Sequence, residues 1–170
     1  IGLPLALLNL PDGAERLVAE MGMYVGGAIA DLCAMARPRV GVVTAIDAVH
    51  ASRAGDLDAI AAAKGELVAA LPADGRAVLN ADDARVLALA ARGPAKVITV
   101  GSSAEAEVRI ERVDVDQASA HTSVTVVADG GRVTANLPLF GRHFASGAAL
   151  AIAVAATCGV PAAKIGRAHV

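Results

Sequence analysis

Three stretches decide the architecture: Val40-Gly-Val-Val-Thr-Ala-Ile46, Leu57-Asp-Ala-Ile-Ala-Ala-Ala-Lys-Gly-Glu-Leu-Val-Ala-Ala-Leu71 and Ala77-Val-Leu79. The first is an almost unbroken apolar run of strand length, which suits a strand buried on both faces. In the second, Leu57, Ile60, Leu67, Val68 and Leu71 recur at helical spacing. Asp56 stands where an N-cap belongs, and Pro72 with Gly75 stops the helix. The third is another short strand. Strand, helix and strand at this spacing predict a parallel α/β sheet.

The pattern extends outward in both directions. Downstream, a helix over 82–91 and a strand over 96–100 repeat it. Upstream, residues 15–20 read as a strand closing on Glu20, followed by a glycine-rich turn over 22–27 and a helix over 28–36 that stops before Pro38. Beyond residue 105 the character changes. Runs over 107–115, 120–128 and 132–138 predict three successive strands, the last two joined by Asp129-Gly130-Gly131, a hairpin turn sequence. An alanine-rich helix then starts near Ala145. The fold class expected is α/β: a mostly parallel sheet flanked by helices, with a small antiparallel β subdomain over 105–140.

Composition narrows the function. The chain has 170 residues, about one domain. It is 55% hydrophobic and only 2% aromatic, so its core must be built from Ala, Val, Leu and Ile. Fifteen basic and 17 acidic residues give a net charge of −2, with no long run of one sign. No nucleic acid and no anionic membrane is therefore expected as a partner. Residues 145–163 carry no charge, but Gly147, Gly159 and Pro161 interrupt them, which suits a buried helix better than a membrane span. Cys33 and Cys158 share no motif and read as reduced thiols of a cytoplasmic protein.

Few residues carry candidate chemistry. Lys64 lies in the middle of the apolar stripe of its helix, where a lysine must snorkel out, find a buried partner or change its chemistry. A neutral amine there could react with carbon dioxide and become an anionic carbamate able to ligate a hard cation; spacing leaves these outcomes open. Glu20 closes one predicted strand, and His50 follows another by a few residues. Ligands of an open parallel sheet bind outside the carboxyl ends of the strands, so both are candidates for one crevice. Asn80-Ala-Asp-Asp83 at another strand end could cap a helix or touch a ligand. His121 reads as a surface residue, and His143 as a brace of the turn before the last helix. No nucleophile triad and no zinc spacing is present.

Read together, Ala19-Glu-Met-Gly-Met23, Pro38-Arg-Val-Gly-Val-Val-Thr-Ala-Ile46 with Ala48-Val-His50, Ala63-Lys-Gly-Glu-Leu67 and Val78-Leu-Asn-Ala-Asp-Asp83 resemble, in order and spacing, the central domain of the Mur ligases. That domain has a P-loop NTPase-like fold. The resemblance covers about residues 1–160, with Ile1-Gly-Leu-Pro-Leu-Ala-Leu-Leu8 fitting the segment that follows the phosphate loop. It implies an ATP-dependent carboxylate–amine ligase using ATP and Mg2+. The family member it favours joins D-alanyl-D-alanine to UDP-N-acetylmuramoyl-tripeptide through an acyl phosphate. It further implies metal roles for Glu20 and His50, a carbamate on Lys64 that supports the metal, and nucleotide contacts at His143 and Gly147.

Three departures accompany the resemblance. The family's Gly-Lys-Thr/Ser phosphate loop is not in this sequence, Phe144 and Gly147 stand where the family has asparagines, and Ala28 stands where a glutamate is usual. Residues 1–163 are accordingly expected to be part of a central domain, inactive alone and monomeric. Residues 164–170 back-translate to a string resembling a sequencing adapter and are expected not to belong to the natural protein. Two other readings stay open: a ligase of cyanophycin or folylpolyglutamate type, and a non-catalytic or decayed α/β module.

Overall fold

A computed structural model describes residues 2–23, 25–47, 56–128, 131–161 and 164–165. The elements in order are α1 (Gly2–Leu8), α2 (Ala28–Ala36), β1 (Val40–Val43), α3 (Leu57–Ala70), β2 (Arg76–Asn80), α4 (Ala84–Ala88), β3 (Lys96–Gly101), β4 (Val108–Asp116), β5 (His121–Ala128), β6 (Gly131–Leu137) and α5 (Phe144–Thr157). One six-stranded sheet runs β1-β2-β3-β4-β5-β6. Its first four strands are parallel, and β4–β5–β6 are antiparallel.

The alternation of side chains along β2 shows how the sheet is buried. Ala77, Val78 and Leu79 are all fully covered. Ala77 and Leu79 join Ile60, Val68 and Leu71 of the α3 side, and Val78 joins Ala149, Leu150 and Ala153 of α5 on the opposite face. A strand covered on both faces can carry an unbroken apolar run, because both pleat directions meet core.

The three antiparallel strands continue this same sheet. β4 pairs with β3 only through Val100↔Val108 and Gly101↔Arg109. The rest of β4 runs past the carboxyl end of β3 and pairs with β5 alone, up to Asp116↔His121. The antiparallel part therefore rises beyond the end of the parallel part, and α5 covers both through Val100, Val108, Val124 and Val126.

Several expected elements differ in the structure. Residues 15–20 form no strand: they have no regular structure, and residues 11–20 are exposed throughout. An extended segment becomes a strand only where a neighbour takes up its main-chain groups, and among the described residues β1 pairs with β2 alone. Strand 40–46 stops at Val43, because the main-chain groups of residues 44–46 are bound by side chains. The helix expected over 82–91 divides into α4 and a 3-10 turn over Leu89–Arg92. The first residues form a helix, Gly2–Leu8, that periodicity did not indicate. The turn residues 129 and 130, and residues 166–170, lie outside the described residues.

Gly93 joins the 3-10 turn to β3 under the C-terminal half of α3. A β-carbon there would collide with the carbonyl oxygen of Val68. Main chain cannot swing aside as a long side chain can, so Gly93→Ala is expected to destabilise the chain by about 1–3 kcal/mol. Urea denaturation should show a lower midpoint at an unchanged slope.

Candidate functional site

The carboxyl ends of β1, β2 and β3 are tied together by side chains of Asn80-Ala-Asp-Asp83. Where a parallel strand ends, its last N–H and C=O groups lose their ladder partners and need others. Asn80 Nδ2 donates to the Thr44 carbonyl at 2.8 Å, and the Ile46 N–H donates to Asp83 Oδ2 at 2.8 Å. The Ser102 N–H donates to both carboxylate oxygens of Asp82, at 2.8 and 3.0 Å. Asp83 Oδ1 also accepts from the N–H groups of Arg85 and Val86, capping α4. Burial pushes the Asp83 carboxyl up, but the N–H donors of Ile46, Val86 and Arg85, with Arg85 nearby, outweigh it and hold it below the usual range.

Lys64 reaches this crest from the side. Half-buried on α3, it donates from Nζ to the Ala45 carbonyl at 2.6 Å. Of the outcomes open to a lysine in that stripe, the structure shows a main-chain polar partner at the end of β1. Asp56 is the N-cap of α3 and accepts from the Ala59 N–H at 2.9 Å. That cap fixes where the helix starts, and so where Lys64 falls.

The other sequence candidates are spread out. Glu20 is exposed, in the segment without regular structure. Met23, three residues on, packs against the core cluster on the α3 side of the sheet. Three residues span about 10 Å at most, so Glu20 lies within that reach of the α3 side of the core. His50 lies outside the described residues. His143 is exposed immediately before α5, its ring 4.1 Å from that of Phe144. Its turn is fastened to the sheet: the Gly141 N–H donates to Thr122 Oγ1 at 3.0 Å, and Arg142 donates to the Val113 carbonyl at 2.8 Å. Gly147 is exposed, with open space where a β-carbon would stand. Lys64 is thus at the crest, Glu20 is tethered to the α3 side of the core, and His143 and Gly147 belong to the start of α5. Among the described residues no three histidine, cysteine or carboxylate side chains converge as a metal cluster.

Sequence reasoning missed two contributors. Thr122 is fully buried and anchors the turn before α5, but a threonine in an alternating strand gives no warning of that. Glu66 binds main-chain N–H groups of α2, a contact between helices far apart in sequence.

An open α/β sheet, with a polar crest at the carboxyl ends of its parallel strands and an antiparallel extension rising beside it, defines the class of α/β folds whose ligands bind beyond the strand ends. The chain belongs to the Mur ligase family: the Mur ligase middle domain matches residues 1–155. The UDP-N-acetylmuramoyl-tripeptide–D-alanyl-D-alanine ligase of Mycobacterium tuberculosis is 32% identical over 165 residues, covering 97% of this chain and 32% of the relative. That of Synechocystis is 36% identical over 164 residues, covering 94% and 33%. In structure, a MurF ligase of Thermotoga maritima solved with ADP superposes with a TM-score of 0.84 at 24% identity, over 99% of this chain and 39% of that one. MurF from Acinetobacter baumannii gives 0.87 at 22% identity, over 97% and 36%. The chain spans about a third of the length of the curated relatives it matches.

Asp83→Ala is expected to cost about 2–3 kcal/mol, through the lost cap and the freed Ile46 N–H. Because the folded carboxyl is held below its ordinary value of 3.8, its contribution is complete above that pH. It is lost as pH falls further, through the folded value. Urea titrations should therefore show a shallower loss of stability below about pH 4 in the variant than in the parent. Gly147→Ala should do the opposite of harm. With free space on an exposed helix face, it should gain about 0.5–1 kcal/mol in the same assay.

Proposed function

We propose that this chain is the ATP-binding middle domain of a ligase that joins D-alanyl-D-alanine to UDP-N-acetylmuramoyl-tripeptide. ATP transfers its γ-phosphoryl group to the terminal carboxylate of the tripeptide, giving an acyl phosphate and ADP. The amine of D-alanyl-D-alanine then attacks the acyl carbon, and phosphate leaves as the amide forms. The same reading puts the protein in the cytoplasm, where ATP is available, and as a monomer. Among the described residues, no helix is long and apolar enough to cross a membrane.

The observation that carries this reading is the position of Lys64. Its amine is held at the carboxyl end of β1, where ligands of such sheets bind. A carbamate formed there keeps one N–H on nitrogen, so the bond to the Ala45 carbonyl can persist while two oxygens sharing one negative charge are added. With the carboxylate of Glu20 and the imidazole of His50, this donor set suits a hard divalent cation, the oxygens above all. Magnesium, when bound, supplies neutralisation of charge on the transferring phosphoryl group. The chain's own residues orient: Asp83, Asn80 and Asp82 hold the strand ends rigid, and Lys64 is set against that frame.

In the full ligase that carries this domain, Lys64→Ala should lower D-alanyl-D-alanine-dependent phosphate release at least about 100-fold. It should also abolish the carbamate resonance seen after addition of carbon-13-labelled bicarbonate. Unchanged activity in the variant would remove the carbamate from the mechanism.

A further inference from the structure

We propose that Glu66 is a positioning residue of this site: its carboxylate clamps α2 to α3 and so keeps the Glu20 segment in place beside Lys64. The inference rests on the function proposed above and names a residue to which that reading gives no role.

The beginning of α2 lacks a cap of its own. Its N-cap is Gly27, which has no side chain and holds a left-handed φ of 86° that glycine adopts without strain. The first N–H groups of a helix have no partner within it. Here the partner comes from another helix: Glu66 Oε1 accepts from the Gly27 N–H at 2.7 Å, and Oε2 accepts from the Ala30 N–H at 3.0 Å. Both oxygens are engaged, as a carboxylate at a helix N-terminus should be.

The same clamp bears on the candidate metal residues. Glu66 is two positions after Lys64, about 200° around α3. Lys64 faces the end of β1 while Glu66 faces α2. The Glu20 segment leans on both helices: Met21 Sδ is 3.8 Å from Cys33 Sγ of α2, and Met23 packs on the α3 side of the core. Burial, and then the charge of Glu66, push the Cys33 thiol up, so the thiol beside Met21 stays protonated and inert. Where α2 sits relative to α3 therefore sets where Glu20 sits relative to Lys64. Glu66 fixes that relation without touching either residue.

The test compares Glu66→Ala, Glu66→Gln and Lys64→Ala in the full ligase with ATP present, reading manganese affinity from the spin resonance of the free ion. Gly93→Ala serves as a control that lowers stability alone. Glu66→Ala is expected to weaken manganese binding about 10-fold or more and to speed hydrogen exchange at the Gly27 and Ala30 amides. Glu66→Gln, with one oxygen left to accept, should fall between, and it carries the test if the alanine variant does not fold. Gly93→Ala should leave the affinity unchanged. Faster exchange with unchanged manganese affinity in the Glu66 variants overturns this inference alone. Manganese binding that does not respond to Lys64→Ala overturns the proposed function, and this inference with it.

Discussion

The main-chain groups at the ends of β1 and β3 depend on three side chains of one short segment. A parallel strand that stops at the sheet's edge leaves polar groups that water or protein must satisfy. Asn80, Asp82 and Asp83 do this for Thr44, Ser102 and Ile46, and Asp83 caps α4 as well. Hydrogen bonds to a charged acceptor contribute more than neutral ones, typically about 1.5–3 kcal/mol. The crest against which Lys64 is set is therefore a charged, fastened surface. Loops free to move would hold a reacting group poorly, since errors of about 1 Å are costly in catalysis.

The two faces of the sheet divide the work. On one face α3 packs through Ile60, Val68 and Leu71 and delivers Lys64 to the crest. On the other, α5 runs from a turn fastened by Thr122 and Arg142 down across the parallel strands. The antiparallel strands stand past the carboxyl end of β3, beside the crest. This arrangement follows from one offset: β3 and β4 share two residue pairs, so most of β4 has nowhere to pair except with β5.

Much of this was legible in the sequence because burial leaves a period. The helix stripe of Leu57, Ile60, Val68 and Leu71, its cap at Asp56 and its stop at Pro72 appear where spacing and capping chemistry put them. The three long strands beyond residue 105 and the last helix are close to their expected limits. The errors share a cause. Apolar runs do not reveal which main-chain groups find partners, so 40–46 looked like one strand although Asn80, Lys64 and Asp83 claim residues 44–46. For the same reason, residues 15–20 looked like a strand although they pair with no strand of the sheet.

The sequence by itself determined the α/β class, the order of the elements and the presence of a lysine in an apolar stripe, since each depends on local periodicity and capping. Through its ordered motifs it also indicated the Mur ligase family. Tertiary structure alone decided that Lys64 meets the Ala45 carbonyl, that Asp83 joins two elements 37 residues apart in one bond to Ile46, and that Glu66 supplies the cap Gly27 cannot. Those contacts join groups distant along the chain, and their geometry is set by how two helices and a sheet edge pack, a relation that no window of residues encodes.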